Sequence, residues 1–143
     1  MFMSDISIIV RKMRTFAERS LAEYALGFPE QLVLMYLTAH GASNQESIAS
    51  SLDIDKGAIT KTIAKLEAKG YVSRELNPQN RREKIVALTK EAEPVVDALK
   101  SSFANLQEVI FRGLSASDVL QMSSSLERVA RNLSEESAAE REN

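Results

Sequence analysis

The stretch Asp55–Thr89, which reads DKGAITKTIAKLEAKGYVSRELNPQNRREKIVALT, decides the predicted fold. Its first residue is a good helix N-cap. The apolar residues Ile59, Ile63 and Leu66 follow at spacings of four and three, which indicates the buried stripe of an amphipathic helix. Gly70 comes where a helix-terminating glycine is expected. The stretch therefore begins with a helix that buries one face.

A β-hairpin is predicted directly after this helix. Two β-prone runs, Tyr71–Leu76 and Lys84–Leu88, flank the segment Asn77–Arg82. Asparagine and proline are typical turn residues, and the segment ends in two adjacent arginines. The pattern predicts a basic helix followed by a hairpin with a basic tip.

Positive charge is concentrated in this part of the chain. Residues Lys56–Lys84 contain 8 Lys and Arg against 3 Asp and Glu, a local net charge of +5, whereas the whole chain carries −2. An acidic protein with one cationic region attracts a polyanion to that region. A solvated helix face would explain the helix lysines alone equally well, but the arginine pair in the turn favours nucleic acid.

The composition excludes several classes of protein. The 143 residues suffice for one domain with a sizeable core and an assembly element, and 44% hydrophobic content is typical of a globular chain. The absence of Cys excludes disulfides and iron–sulfur clusters, and a single His argues against a His-based zinc site. No nucleophile–base set or phosphate-binding glycine loop is present. We therefore expect no cofactor, no metal and no enzymatic activity.

The N-terminal sequence MFMSDISIIVRKMR has only a short apolar run before its basic residues. It has the pattern of neither a signal peptide nor a membrane span. We expect a cytoplasmic protein with no membrane partner.

Two helices are predicted before the helix-turn-helix. Apolar residues recur at intervals of three and four over residues 5–25, and the helix Pro29–His40 is apolar on almost all sides, which indicates burial. His40 is expected to satisfy the last carbonyls of that helix, with ligand binding as the alternative. The segment SNQE at residues 43–46 has capping-box spacing, with Ser43 as the cap of a short helix at about Gln45–Leu52.

Two short helices joined by a tight turn at residues 53–54 form a helix-turn-helix, and the hairpin adds a wing. Thr89 is predicted to cap the next helix, which either kinks near Pro94 or begins there. A last helix opens at Ser115 and carries apolar residues at intervals of three and four. The apolar stripes of the terminal helices could pack as one intrachain bundle, but two copies that meet there would bury them better, which predicts a homodimer.

This order of elements resembles the MarR/SlyA family of bacterial transcriptional regulators over nearly the whole chain. The most specific part, NPQNRREKIVALT at residues 77–89, is similar to the family's pattern of Asp-x-Arg, a short strand and Leu-Thr. Arg82 occupies the place of the family's wing arginine, and Asn80 stands where the Asp usually is. The missing carboxylate predicts a wing looser than usual. LEAKGYVSR at residues 66–74 also resembles the family, although many winged helices share that pattern.

The predicted fold class is mainly α with a small β-hairpin wing: a winged helix-turn-helix flanked by N- and C-terminal dimerisation helices. The predicted divisions are an N-terminal dimerisation helix at 1–28, the DNA-binding domain at 29–89, C-terminal dimerisation helices at 90–134 and a frayed acidic tail at 135–143.

The resemblance implies a homodimer on a pseudo-palindromic operator in double-stranded DNA, with a small aromatic or anionic effector. We predict a repressor that this ligand releases. The alternative is a winged-helix module that binds a protein and has no operator. The predicted DNA-binding residues are Ser43, Asn44, Gln45, Lys56, Gly57, Thr60, Lys61, Lys65, Arg81, Arg82 and Lys84. The predicted ligand-binding residues are Tyr24, Tyr36 and His40, although core packing or capping would explain each of them as well.

Overall fold

The computed structural model describes residues 1–142. It divides into two compact units, Met1–Leu106 and a second unit that begins at Gln107. The elements in chain order are α1 (Phe2–Ser20), a 3₁₀ turn (Ala22–Tyr24), α2 (Phe28–His40), β1 (Ser43–Asn44), α3 (Gln45–Leu52), α4 (Lys56–Ala68), β2 (Val72–Asn77), β3 (Asn80–Leu88), a second 3₁₀ turn (Lys90–Ala92), α5 (Glu93–Ile110) and α6 (Ala116–Glu142).

The core of the first unit is built around α4. Ile59, Ile63 and Leu66 are each 0% exposed, so the predicted buried stripe is confirmed. They belong to one hydrophobic cluster with side chains from α2, α3, the sheet and α5. The opposite face of α4 carries Lys61 and Lys65, which are exposed.

The N-caps of α3 and α4 set where the helix-turn-helix begins. Asp55 Oδ1 accepts a hydrogen bond from the backbone N–H of Ala58 at 2.9 Å, as predicted. Asn44, rather than Ser43, caps α3, because its Oδ1 accepts from the N–H of Ser47 at 2.7 Å. The prediction for Ser43 is wrong because α3 begins at Gln45, which makes Asn44 the N-cap, and the Ser43 hydroxyl donates instead to the carbonyl of Gly41 at 3.0 Å.

The wing is a three-stranded antiparallel sheet in the order β1-β3-β2. Its turn is shorter than the predicted segment Asn77–Arg82, since both arginines already belong to β3. Asn77 Oδ1 accepts a hydrogen bond from the N–H of Gln79 at 3.0 Å, which closes the chain reversal early. The strand β1 joins the wing to the residues that precede α3.

The boundaries of α1 and α5 differ in detail from the predictions. α1 ends at Ser20 and a 3₁₀ turn follows, so the predicted helix over residues 5–25 extends too far. α5 begins at Glu93 with Pro94 in its first turn, so the second alternative for Pro94 is confirmed. Thr89 makes no side-chain cap; its hydroxyl donates instead to the carbonyl of Gly70, across the base of the wing.

α6 opens with a reciprocal pair of hydrogen bonds. The N–H of Ser115 donates to Asp118 at 2.9 Å, and the N–H of Asp118 donates to Ser115 Oγ at 3.1 Å, as the predicted start implies. The predicted frayed tail is wrong for residues 135–142, because the helix continues to Glu142; Asn143 lies outside the described residues. Alanine, glutamate and arginine in this segment are strong helix formers, although its apolar periodicity has ended. Within residues 1–142, no helix is long and apolar enough to cross a membrane.

A buried ion pair connects the end of α4 to the start of α2. The Glu30 residue is only 7% exposed, and its Oε2 accepts from Lys69 Nζ at 2.7 Å. Lys69 Nζ also donates to the carbonyl of Ala25 at 2.6 Å. Lys69, which belongs to the predicted basic region, therefore has a structural role.

We expect Lys69→Ala to lower the free energy of unfolding by about 2–4 kcal/mol, because it leaves a buried carboxylate without its partner. Lys65→Ala, one turn earlier on the exposed face, should change the free energy by no more than about 0.5 kcal/mol. Urea denaturation of both variants measures the difference. Equal stability of the two variants would contradict a structural role for Lys69.

Candidate nucleic-acid interface

A groove of about 480 Å³ lies between α3, α4 and the wing. Its lining residues are Gln45, Glu46, Lys56, Thr60, Asn80, Arg82, Glu83 and Lys84. Five predicted DNA-binding residues are among them, namely Gln45, Lys56, Thr60, Arg82 and Lys84. The fold thus brings side chains from two helices and a strand onto one surface.

A side-chain hydrogen bond joins α4 to α3 beside the groove. Thr60 Oγ1 accepts from Gln45 Nε2 at 2.6 Å and donates to the carbonyl of Lys56 at 2.7 Å. Because the Thr60 hydroxyl donates its hydrogen within α4, it has no further hydrogen to donate to a ligand. Gln45 Oε1 is buried and has no hydrogen-bond partner among the described residues, so this amide holds an unused acceptor beside the groove.

Lys56 is paired with a neighbour on α3. Lys56 Nζ lies 2.9 Å from Glu46 Oε1, and both side chains are 76% exposed. The hydrogen bond and the positive charge of Lys56 lower the pKa of Glu46 below its ordinary value. An exposed pair of this kind contributes little to stability, so a phosphate can replace the carboxylate at low cost.

The other cations of the predicted basic region fall into two groups. Lys69 pairs with Glu30, and Arg74 lies 3.3 Å from Glu67, so both are engaged within the fold. In the part of the chain that the structure describes, no ion pair involves the exposed cations Lys61, Lys65, Arg81, Arg82 and Lys84. Unpaired positive charge is therefore found on the solvent face of α4 and along β3.

Gly57 lies in the first turn of α4, close to the cap. A Cβ added there would come within 3.2 Å of Asp55 Oδ1, so the N-cap carboxylate alone favours a residue without a side chain. Its predicted role, close approach of the backbone to a duplex, stays a prediction.

Asn80 keeps a link to Arg82. Its Oδ1 accepts from the backbone N–H of Arg82 at 3.2 Å, so the amide replaces the usual carboxylate as an acceptor for the backbone. The looser wing that the substitution predicts stays a prediction.

Glu83 and Asn77 take part in side-chain hydrogen bonds that no sequence motif predicts. The Glu83 carboxylate accepts from Asn44 Nδ2 and Asn77 Nδ2, each at 2.5 Å. Glu83 is half-buried, whereas Arg82 and Lys84 on either side of it are exposed. Strand alternation could not have identified Glu83, because counting in twos from the buried Val86 places Arg82 and Lys84, not Glu83, on the face of that residue.

The three candidate ligand-binding residues have local explanations. The rings of Tyr36 and His40 stack with centroids 4.2 Å apart, and His40 Nδ1 hydrogen-bonds the Tyr36 carbonyl at 3.0 Å. His40 therefore bonds a carbonyl inside its own helix, and its predicted role at the last carbonyls stays a prediction. Tyr24 is partly buried against the hydrophobic core. Ligand binding by these residues stays a prediction.

Comparison with known proteins extends these observations. The MarR family model matches residues 29–84, which run from α2 into β3. A MarR transcriptional regulator from Methanosarcina mazei Go1 is 27% identical, with a TM-score of 0.79 over 92% of this chain and 88% of that chain. CouR from Rhodococcus jostii RHA1, bound to p-coumaroyl-CoA, is 25% identical, with a TM-score of 0.79 over 87% and 88% of the two chains.

The fold is also that of the S. aureus MepR–DNA complex, at 22% identity and a TM-score of 0.84 over 92% of this chain and 98% of that chain. The predicted fold class is confirmed, because the likeness includes the terminal helices as well as the wing. Residues 29–84 thus match the MarR family, and the chain has the winged helix-turn-helix fold of DNA-binding transcriptional regulators of that family.

Proposed function

We propose that this protein is a homodimer that binds a pseudo-palindromic operator in double-stranded DNA and represses transcription until a small ligand releases it. The groove between α3, α4 and the wing carries the proposal, because Lys56, Arg82 and Lys84 converge there. Cations placed at one surface by separate elements are what a phosphate backbone requires.

In this proposal α4 enters the major groove with the face opposite its buried stripe. Lys61 and Lys65 are exposed one helical turn apart on that face, where lysine can contact guanine acceptors or phosphates. Thr60 supplies a methyl group or an acceptor lone pair. The residues at the start of α3, 43–45, face the backbone, where amides at a helix N-terminus suit a phosphate.

The wing completes the contact in the minor groove. Arg82 is exposed and lines the groove, and a narrow minor groove attracts arginine through its negative potential. Arg81 and Lys84 are exposed on the same strand and would contact phosphates. Because α4 carries lysines rather than arginines, much of the sequence preference would come from DNA shape.

Exposed apolar side chains on the terminal helices support the homodimer. Large apolar exposure concentrated on a helix marks an interaction surface. The side chains on α1 are Phe2, Met3, Ile8, Ile9 and Val10, and those on α6 are Leu120, Leu126, Val129 and Leu133. Two-fold symmetry would match a pseudo-palindromic site with half-sites about 34 Å apart or a multiple of that spacing.

The effector in this proposal is a small aromatic or anionic compound. CouR, which is 25% identical to this chain, binds p-coumaroyl-CoA, which supports a ligand of that chemistry. Tyr24, Tyr36 and His40 are the candidate contacts.

The test of this function is to sequence the genomic DNA fragments that the purified protein selects, with and without phenolic carboxylates. We expect one enriched pseudo-palindromic motif, lost when the effector is added. Enrichment that no compound reduces would contradict release by a ligand. Absence of any enriched motif would favour the protein-binding module instead.

Arg82→Ala is expected to weaken operator binding by about 1–3 kcal/mol, because the variant loses a contact to base edges in the minor groove. Arg81→Ala is the matched control and should have a smaller effect that is similar for all DNA sequences. Fluorescence anisotropy with a labelled operator measures both. Unchanged affinity of Arg82→Ala would remove the wing from the proposed mechanism.

Binding should fall steeply with salt, because cations that neutralise phosphates release counterions. The logarithm of the binding constant should decrease with the logarithm of salt concentration, with a slope of about −0.9 per neutralised phosphate. Lys61→Ala should make the slope shallower by about one phosphate contact. Anisotropy titrations at several salt concentrations give the slope, and a flat response would point to a different partner.

Leu126→Glu should shift the protein from dimer to monomer, because it places a charge in the apolar stripe of α6. Ser125→Glu adds the same charge at an exposed position about 100° around the helix and should leave the dimer intact. Light scattering coupled to size-exclusion chromatography measures the mass. A dimeric Leu126→Glu variant would exclude this stripe as the interface.

A further inference from the structure

Glu83 is one of two carboxylates that line the cationic groove; the other, Glu46, pairs with Lys56, whereas no ion pair of Glu83 is found among the described residues. It lies between Arg82 and Lys84 on β3, and all three side chains line the groove. A negative charge here repels the phosphates that the groove is proposed to bind. The charge of Glu83 therefore does not help the groove to bind phosphate. We look for its role in the hydrogen bonds that its carboxylate accepts.

Those contacts join two separate parts of the fold. Glu83 Oε1 accepts from the side-chain amide of Asn44, which is 39 positions away at the N-cap of α3. Glu83 Oε2 accepts from the side-chain amide of Asn77, which is at the turn of the wing. Both oxygens of one carboxylate are thus used to connect the wing to the helix-turn-helix.

Each asparagine is in turn fixed to its own backbone. Asn44 Oδ1 accepts from the N–H of Ser47 at 2.7 Å, in the first turn of α3. Asn77 Oδ1 accepts from the N–H of Gln79 at 3.0 Å, at the tip of the wing. A continuous chain of hydrogen bonds therefore runs from α3 through Glu83 to the wing tip.

We propose that Glu83 is a positioning residue for DNA recognition. It holds the wing and the start of α3 in one arrangement, so that Arg82 and the helix-turn-helix can contact neighbouring grooves of a duplex without further ordering. Arg82 and Lys84 on either side of Glu83 are exposed. The inference rests on the proposed DNA-binding function and names a residue on which its specificity depends.

The test uses Glu83→Gln, for which electrostatics and positioning predict opposite results. Removal of a negative charge alone should strengthen binding to every DNA sequence. Glutamine places an NH₂ donor where one of the two carboxylate oxygens lies, so one of the asparagine Nδ2 donors loses its acceptor and faces another donor. We expect affinity for the selected operator to fall about tenfold, the typical effect of a lost charge-assisted hydrogen bond, while affinity for random DNA stays the same or rises.

Glu75→Gln is the matched control. Glu75 is an exposed carboxylate on β2 opposite Ile85, so the substitution removes the same charge from the wing. We expect the ratio of operator to random-DNA affinity to be unchanged in this variant. A fall equal to that of Glu83→Gln would assign the effect to charge and overturn the proposal.

Asn77→Ala supplies a second variant that keeps the charge of Glu83 and removes its contact to the wing tip. We expect a similar fall in the affinity ratio, and no additional fall when it is combined with Glu83→Gln, because both changes break one connection. In the DNA-free protein, exchange of the Gln79 amide hydrogen should be faster in both variants than in the wild type or Glu75→Gln.

Two contrary results are distinguishable. A wild-type protein that selects no DNA motif would overturn the proposed function, and the positioning role for DNA recognition with it. A wild-type protein that selects an operator, together with a Glu83→Gln variant of equal or greater specificity and unchanged Gln79 exchange, would overturn the positioning role alone.

Discussion

The burial of one face of α4 is the constraint on which the remaining structure depends. Ile59, Ile63 and Leu66 are completely buried, and each such side chain contributes about 1.5–3 kcal/mol through removal from water. With 3.6 residues per turn, Lys61 and Lys65 lie away from this buried stripe and are exposed to solvent. Lys61 and Lys65 are therefore presented outward by the same interaction that builds the core.

The short strand β1 connects the helix-turn-helix to the wing by pairing with β3. Its pairing of Ser43 with Val86 places β3 next to the start of α3, and Val86 is itself buried in the core. The hairpin is thus attached to the helix-turn-helix by backbone pairing and by the side chain of Glu83. A two-stranded hairpin alone is only marginally stable in water, so this attachment gives the wing a defined position.

Local pairing decides which cations remain available. Lys69 is used to neutralise the buried Glu30, while Lys56 forms an exposed pair that solvent and salt weaken. An acidic chain with unpaired cations on α4 and β3 has an uneven electrostatic surface. Such a surface directs a polyanion to one side of the protein and repels it elsewhere.

The sequence by itself determined what depends on local periodicity and on short motifs. Residues close together in the sequence specify the buried stripe of α4, its Asp55 cap, the hairpin and the basic residues of the wing. Tertiary structure alone decided that Lys69 meets Glu30 and that Glu83 joins α3 to the wing. Each of these depends on a partner far along the chain, which periodicity within one helix cannot specify.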